Sequence, residues 1–173
     1  MVTPRRKAIR KTNGMKTTST GSTTTSEKLP TMNFKLDTYY VWLGASCDYA
    51  HKERVSSGAY HAELGGKVID SFICTDDHTT EFRMLLTAMI HAMETLPESS
   101  DIVFMTNVAY LQNYNREPTS ETANSDLISR CRELIPRHAS VSVKIVPYHK
   151  YPILSELHQL THQAMEGYRK IRE

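Results

Sequence analysis

Apolar and polar positions change their period along this chain, and each change marks an element. Tyr39 to Ser46 is a β-prone run, Gly58 to Leu64 a second and Lys67 to Cys74 a third; aromatic and branched residues of this kind suit strands. Gly65-Gly66 separates the last two, the two-residue link of a tight hairpin, so the three predict an antiparallel meander. On the first run Tyr39, Tyr40 and Trp42 alternate with Val41 and are expected to fill both faces of the sheet. Phe82, Leu85, Leu86, Met89, Ile90, Met93 and Leu96 then recur at i, i+3, i+4 and i+7, the apolar face of one helix. Thr80 is placed to cap that helix and Pro97 to end it.

The period shortens again at Asp101 to Thr106, read as a short buried strand, and is lost in the polar stretch Asn113 to Thr122, read as a loop around Pro118. Asn124 or Ser125 is positioned to cap a helix carrying Leu127, Ile128, Cys131, Leu134 and Ile135, stopped near Pro136. Ser140 to Val146 alternates as a strand, and Ile153 to Ile171 has the spacing of a terminal helix.

Composition divides the chain in two. Residues 1–34 form a basic Ser/Thr-rich tail, with the near-repeat Thr17 to Ser26 at its centre, and residues 35–173 form one domain of ordinary core size. The tail has too few apolar residues to offset the entropy of ordering it and is expected to be disordered. It lacks the apolar stretch of a secretory signal, and Met15 and Met32 are alternative starts of translation. Residues 1–35 carry eight Lys or Arg against one Glu, whereas residues 36–173 carry thirteen against eighteen Asp or Glu. The charge is thus +7 over residues 1–35 and −5 over residues 36–173. An acidic fold weighs against tight binding of a phosphate backbone, which needs a cationic face. Arg5, Arg6, Lys7, Arg10 and Lys11 offer a weak contact for nucleic acid or acidic lipid, the alternative being a plain solvated tail. No apolar run reaches the roughly 20 residues that span a bilayer, so no membrane partner is expected. Cys47, Cys74 and Cys131 are odd in number and form no C-x-x-C pair. Free thiols of this kind fit a reducing, cytoplasmic setting.

Several segments share a likeness. Glu81-Phe82-Arg83-Met84-Leu85-Leu86 resembles the N-N-R-M-E-L start of the first helix of ribonuclease H, with Leu85 where that family has a catalytic Glu. Tyr40 to Cys47 resembles the first strand and its T-D-G-S end, with Leu43 at the Asp position, or Gly44 if Ala45 is not an insertion. Phe104 to Leu111 resembles the fourth strand's T-D-S-x-Y-V end, with Asn107 in place of the third Asp. Asn124 to Ile128 resembles an N-x-D-L-W helix start, Val143 to His149 resembles the last strand leading into a K-G-H loop, and counting on from His149 places His158 at the fourth acidic position. The likeness runs from about Asp37 to the C-terminus in order. It implies a ribonuclease H-like α/β fold: a five-stranded mixed sheet, three antiparallel strands and then two parallel ones, flanked by helices.

It also implies lost catalysis. In that family clustered carboxylates hold two divalent ions that activate water and stabilise the leaving oxygen, and magnesium needs oxygen ligands in near-octahedral array. Leu43 and Leu85 supply none, Asn107 one neutral oxygen, and His158 a nitrogen suited to softer ions. No Asp or Glu lies between Asp37 and Cys47 or between Glu81 and Glu94, so a slipped alignment does not restore the site. The expectation is a pseudo-ribonuclease H, without cofactor, that binds or scaffolds an unknown protein partner. Two alternatives stand beside it: binding of duplex or hybrid nucleic acid through the basic tail, and a nuclease with a relocated metal site drawing on Asp48, Asp126 and the C-terminal histidines. His149, His158 and His162 could hold zinc if they converge, with Glu156 as a base, although a solvated or packed pair is the default reading. Ser46 and Cys47 are more simply turn formers than nucleophiles, and neither a phosphate loop nor a G-x-S-x-G elbow occurs.

Overall fold

The computed structural model describes residues 33–172; the tail, with Arg5, Arg6, Lys7, Arg10 and Lys11, lies outside the described residues. Strands β1 (Thr38–Cys47), β2 (Ser56–Leu64) and β3 (Lys67–Asp76) form the antiparallel meander. Gly65 and Gly66 turn it with φ of 60° and 81°, the left-handed pair that a type I′ link requires and that a Cβ resists. β4 (Asp101–Thr106) pairs parallel to β1, and β5 (Ser140–Ile145) parallel to β4. The result is one five-stranded mixed sheet in the order β3-β2-β1-β4-β5. β2 and β3 each run two residues beyond their expected ends, because Ser56 and Ser57 pair with Asp76 and Thr75; these polar ladder positions carry no apolar signal.

Side chains alternate across a strand, and helices cover both faces. On one face Val41, Leu43, Tyr60, Ile102 and Phe104 pack with helix α1 (Glu81–Thr95) and helix α2 (Ser125–Leu134). On the other, Tyr40, Trp42, Ala59 and Met105 pack with Leu154, Leu157 and Leu160 of helix α3 (Pro152–Arg172).

The Thr80 hydroxyl caps α1 by accepting from the Arg83 amide at 3.2 Å, and Leu96 turns extended before Pro97. The buried face of α1 is wider than the expected stripe, since Met84, Ala88 and Ala92 are also buried. One cause is α2, which packs along it. Another is Gly58 on β2, where an added Cβ would collide with the Met84 carbonyl, so the missing side chain lets helix and strand backbones approach.

Two expectations change in part. Asn124 is the N-cap residue of α2, in the left-handed region at φ 60°, and its carbonyl accepts from the Leu127 and Ile128 amides, but its side chain makes no cap bond. Its side chain is taken instead by tertiary partners, donating to the Tyr110 hydroxyl at 2.8 Å and accepting from Arg83 at 3.2 Å. The stretch read as loop from Asn113 begins inside a 3₁₀ helix, Ala109–Asn115. That helix is held by Leu111, fully buried, and by Tyr110 and Tyr114 packing on the same core. Among the described residues no helix is long and apolar enough to cross a membrane, and Cys47, Cys74 and Cys131 are free thiols.

Candidate functional site

β1 carries the first candidate positions, and its period of two separates them. Leu43 points into the α1 layer, where it and Leu85 are both fully buried in one core. Gly44 faces α3 instead, and a Cβ there would stand 3.2 Å from the Leu157 Cβ. Asn107 follows the end of β4 and is exposed, and His158 is exposed on α3, on the opposite layer from Leu85. The structure thus joins Leu43 and Leu85 in one hydrophobic core; Asn107 and His158 belong to its surface.

The end of β1 meets α3 through a polar group. Ser46, 5% exposed, lies inside β1 and is not a turn former. Its Oγ is 2.8 Å from Thr161 Oγ1 and 3.5 Å from His158 Nδ1. His158 packs against His162 with ring centres 4.4 Å apart. Burial, and then the neighbouring His162, push the proton affinity of His158 below that of an ordinary histidine.

His149 does not join this pair. It lies in the 3₁₀ turn Tyr148–Lys150, and the ring that reaches His158, edge-on at 6.4 Å, belongs to Tyr148. Among the described residues no three of His, Cys, Asp or Glu gather as metal ligands, so the trio His149, His158 and His162 is not formed.

The acidic residues considered for a relocated site are each taken by an arginine. Asp48, just past β1, pairs with Arg169 of α3 at 2.9 Å, both about one-quarter exposed. Asp126 at the start of α2 makes a two-pronged contact with Arg83 of α1, at 3.1 and 2.8 Å. The Arg83 guanidinium holds the Asp126 carboxyl below the usual carboxylate range. Glu81, one turn before Leu85, has its carboxyl pushed up by burial. An arginine-bound carboxylate is a poor start for a hard-ion site.

Sequence reasoning missed one buried polar link altogether. The Tyr60 hydroxyl, on a fully buried side chain, donates to Asp70 at 2.8 Å and lies 3.1 Å from His91 Nδ1, while His91 stacks on Phe72 at 3.7 Å. Burial, with help from Asp70, drives the Tyr60 hydroxyl far above its ordinary pKa. The only signal was the count outward from Gly65-Gly66, and a register shift at Ala62/Glu63 breaks that count.

No protein-family model matches the chain, and no curated protein matches it in sequence. Solved structures do match in shape. Ribonuclease H1 from the halophilic archaeon Halobacterium salinarum superimposes with a TM-score of 0.60 at 15% identity, over 75% of this chain and 98% of that one. LC11 ribonuclease H1, solved in complex with an RNA/DNA hybrid, gives a TM-score of 0.60 at 11% identity over the same shares. At these identities the likeness concerns shape, and together with the strand order above it establishes that the chain has the ribonuclease H-like α/β fold.

Proposed function

We propose that this domain has kept the ribonuclease H-like fold without its two-metal chemistry and works as a binding or scaffolding module. The observation that carries the reading is the place of Leu85. It stands where the resembling helix has a carboxylate, and it is fully buried in the hydrophobic core with Leu43. A charged ligand there would need its desolvation repaid by a partner, and the other two candidate positions, Asn107 and His158, lie apart from it on the surface. Two-metal hydrolysis needs several hard oxygens around ions about 3.5–4 Å apart. Calorimetric titration with magnesium and with manganese is expected to show no saturable binding at the millimolar level. Tight binding of either ion, lost on changing Asp48 or Asp126 to Ala, would replace this reading with a relocated site.

A second reading is favoured by one neighbour, LC11 ribonuclease H1, whose structure holds an RNA/DNA hybrid. On this reading the fold still meets duplex shape, and the basic tail supplies affinity. The charge division makes it testable: residues 1–31 hold all seven positive charges of the tail, and each neutralised phosphate releases a counterion. The full chain is then expected to bind hybrid weakly, with affinity falling steeply as salt rises, and a chain starting at Met32 to lose that binding at physiological salt. Tight binding by the shortened chain would assign recognition to the fold itself. Absence of binding by both would leave a protein partner, for which pull-down with the shortened chain is the direct assay.

A further inference from the structure

The outer face of α3 carries a feature that the proposed function does not use. His158 and His162 are one helical turn apart and both exposed, so their side chains leave the helix on one side. Their ring centres are 4.4 Å apart and the planes are inclined by 59°, a tilted pair and not a parallel stack. An ion held about 2.0–2.1 Å from one nitrogen of each imidazole lies about 3.2 Å from each ring centre. Two rings bound at right angles around it then have centres about 4.5 Å apart, and two bound tetrahedrally about 5.2 Å apart. The observed spacing falls beside the right-angle value.

The hydrogen bonds around Ser46 favour one tautomer of His158. The Thr161 hydroxyl donates its one proton to the His158 carbonyl at 2.9 Å. Ser46 Oγ, 2.8 Å from Thr161 Oγ1, must therefore be the donor in that contact. With its proton spent, Ser46 can only accept from His158, at 3.5 Å from Nδ1, the long limit of a hydrogen bond. This contact is compatible with a proton on Nδ1, the tautomer that leaves the Nε2 lone pair for a ligand. A histidine held through one nitrogen so that the other can coordinate is the usual outer support of a metal-binding imidazole.

We propose that His158 and His162 form a two-nitrogen site for a divalent ion of tetragonal preference, Cu(II) or Ni(II), with Ser46 as the positioning residue and water completing the coordination. Imidazole nitrogens and the short ring spacing suit these ions, whereas hard magnesium is not served by nitrogen. The site is independent of the proposed function: it can fail while the fold remains a binding module, and it can hold whether or not nucleic acid binds.

The test uses the full chain, freed of metal, titrated with Ni(II) by calorimetry and with Cu(II) under electron paramagnetic resonance. The expected result is one high-affinity equivalent whose Cu(II) spectrum reports two nitrogen donors. His158→Ala or His162→Ala should each weaken it by at least about tenfold, Ser46→Ala should weaken it by about tenfold through loss of positioning, and His149→Ala should leave it unchanged. The metal-free melting temperatures of the two exposed-histidine variants should match the parent, which separates lost ligands from lost fold. A high-affinity equivalent that survives His158→Ala/His162→Ala, or no saturable binding by the parent chain, would overturn the site. An unchanged affinity in Ser46→Ala would overturn the tautomer argument.

Discussion

Leu85 is the residue on which the functional reading turns, and its role can be measured as packing. A fully buried leucine touching both β1 and its own helix cannot be shortened without leaving a cavity. Leu85→Ala is expected to cost about 2–5 kcal/mol in urea denaturation; a cost below about 0.5 kcal/mol, the range of ordinary surface changes, would mean that Leu85 faces an open site. This residue was legible from the sequence, because its membership of the apolar stripe and its place in the resembling helix are both local facts. The Ser46–Thr161 contact was not, since its partners lie 115 positions apart. Nothing in a serine at a strand end tells which helix will arrive above it. Gly58 was equally silent: only the meeting of α1 with β2 shows that a Cβ there would strike the Met84 carbonyl.

At the scale of elements, the five strands and the three α-helices could be drawn from periodicity and turn chemistry, because signals such as Gly65-Gly66, Thr80 and Pro97 act within their own few residues. What was lost is register. Counting back from the turn pairs Tyr60 with Ser71, whereas the shift at Ala62/Glu63 pairs it with Phe72. That slip carries Asp70 to within reach of the Tyr60 hydroxyl. At the start of α2 the cap position was legible but its chemistry was not, since the Asn124 side chain serves Tyr110 and Arg83 and only its carbonyl takes the helix amides. The same corner ties α1 to α2 through Arg83 and Asp126. Asp126 has a lowered folded-state pKa, chiefly from its hydrogen bond to Arg83. Its contribution is therefore complete above the unfolded carboxylate value of about 3.9 and is lost as the pH falls through the lower folded value. Arg83→Gln should remove that contribution near neutrality and converge with the parent in acid. Because the side chains are 36% and 64% exposed, solvent screening limits the difference to at most about 1 kcal/mol. A difference that grows toward low pH would contradict the assignment.

For the whole molecule, order and direction of strands place the chain among ribonuclease H-like folds, and the solved structures agree over three-quarters of its length. The fold does not fix the activity, and the proposed reading rests on the candidate positions. Two of them are hydrophobic core, Asn107 and His158 are not hard anionic ligands, and Asp48 and Asp126 are held by arginines. The central claim is that this arrangement does not hydrolyse a phosphodiester, and the measurement that meets it directly is cleavage of the RNA strand of an RNA–DNA hybrid by the purified full chain. The account predicts no cleavage above a buffer control with either magnesium or manganese. Metal-dependent cleavage that disappears when Asp48, Asp126 or His158 is changed to Ala would contradict it.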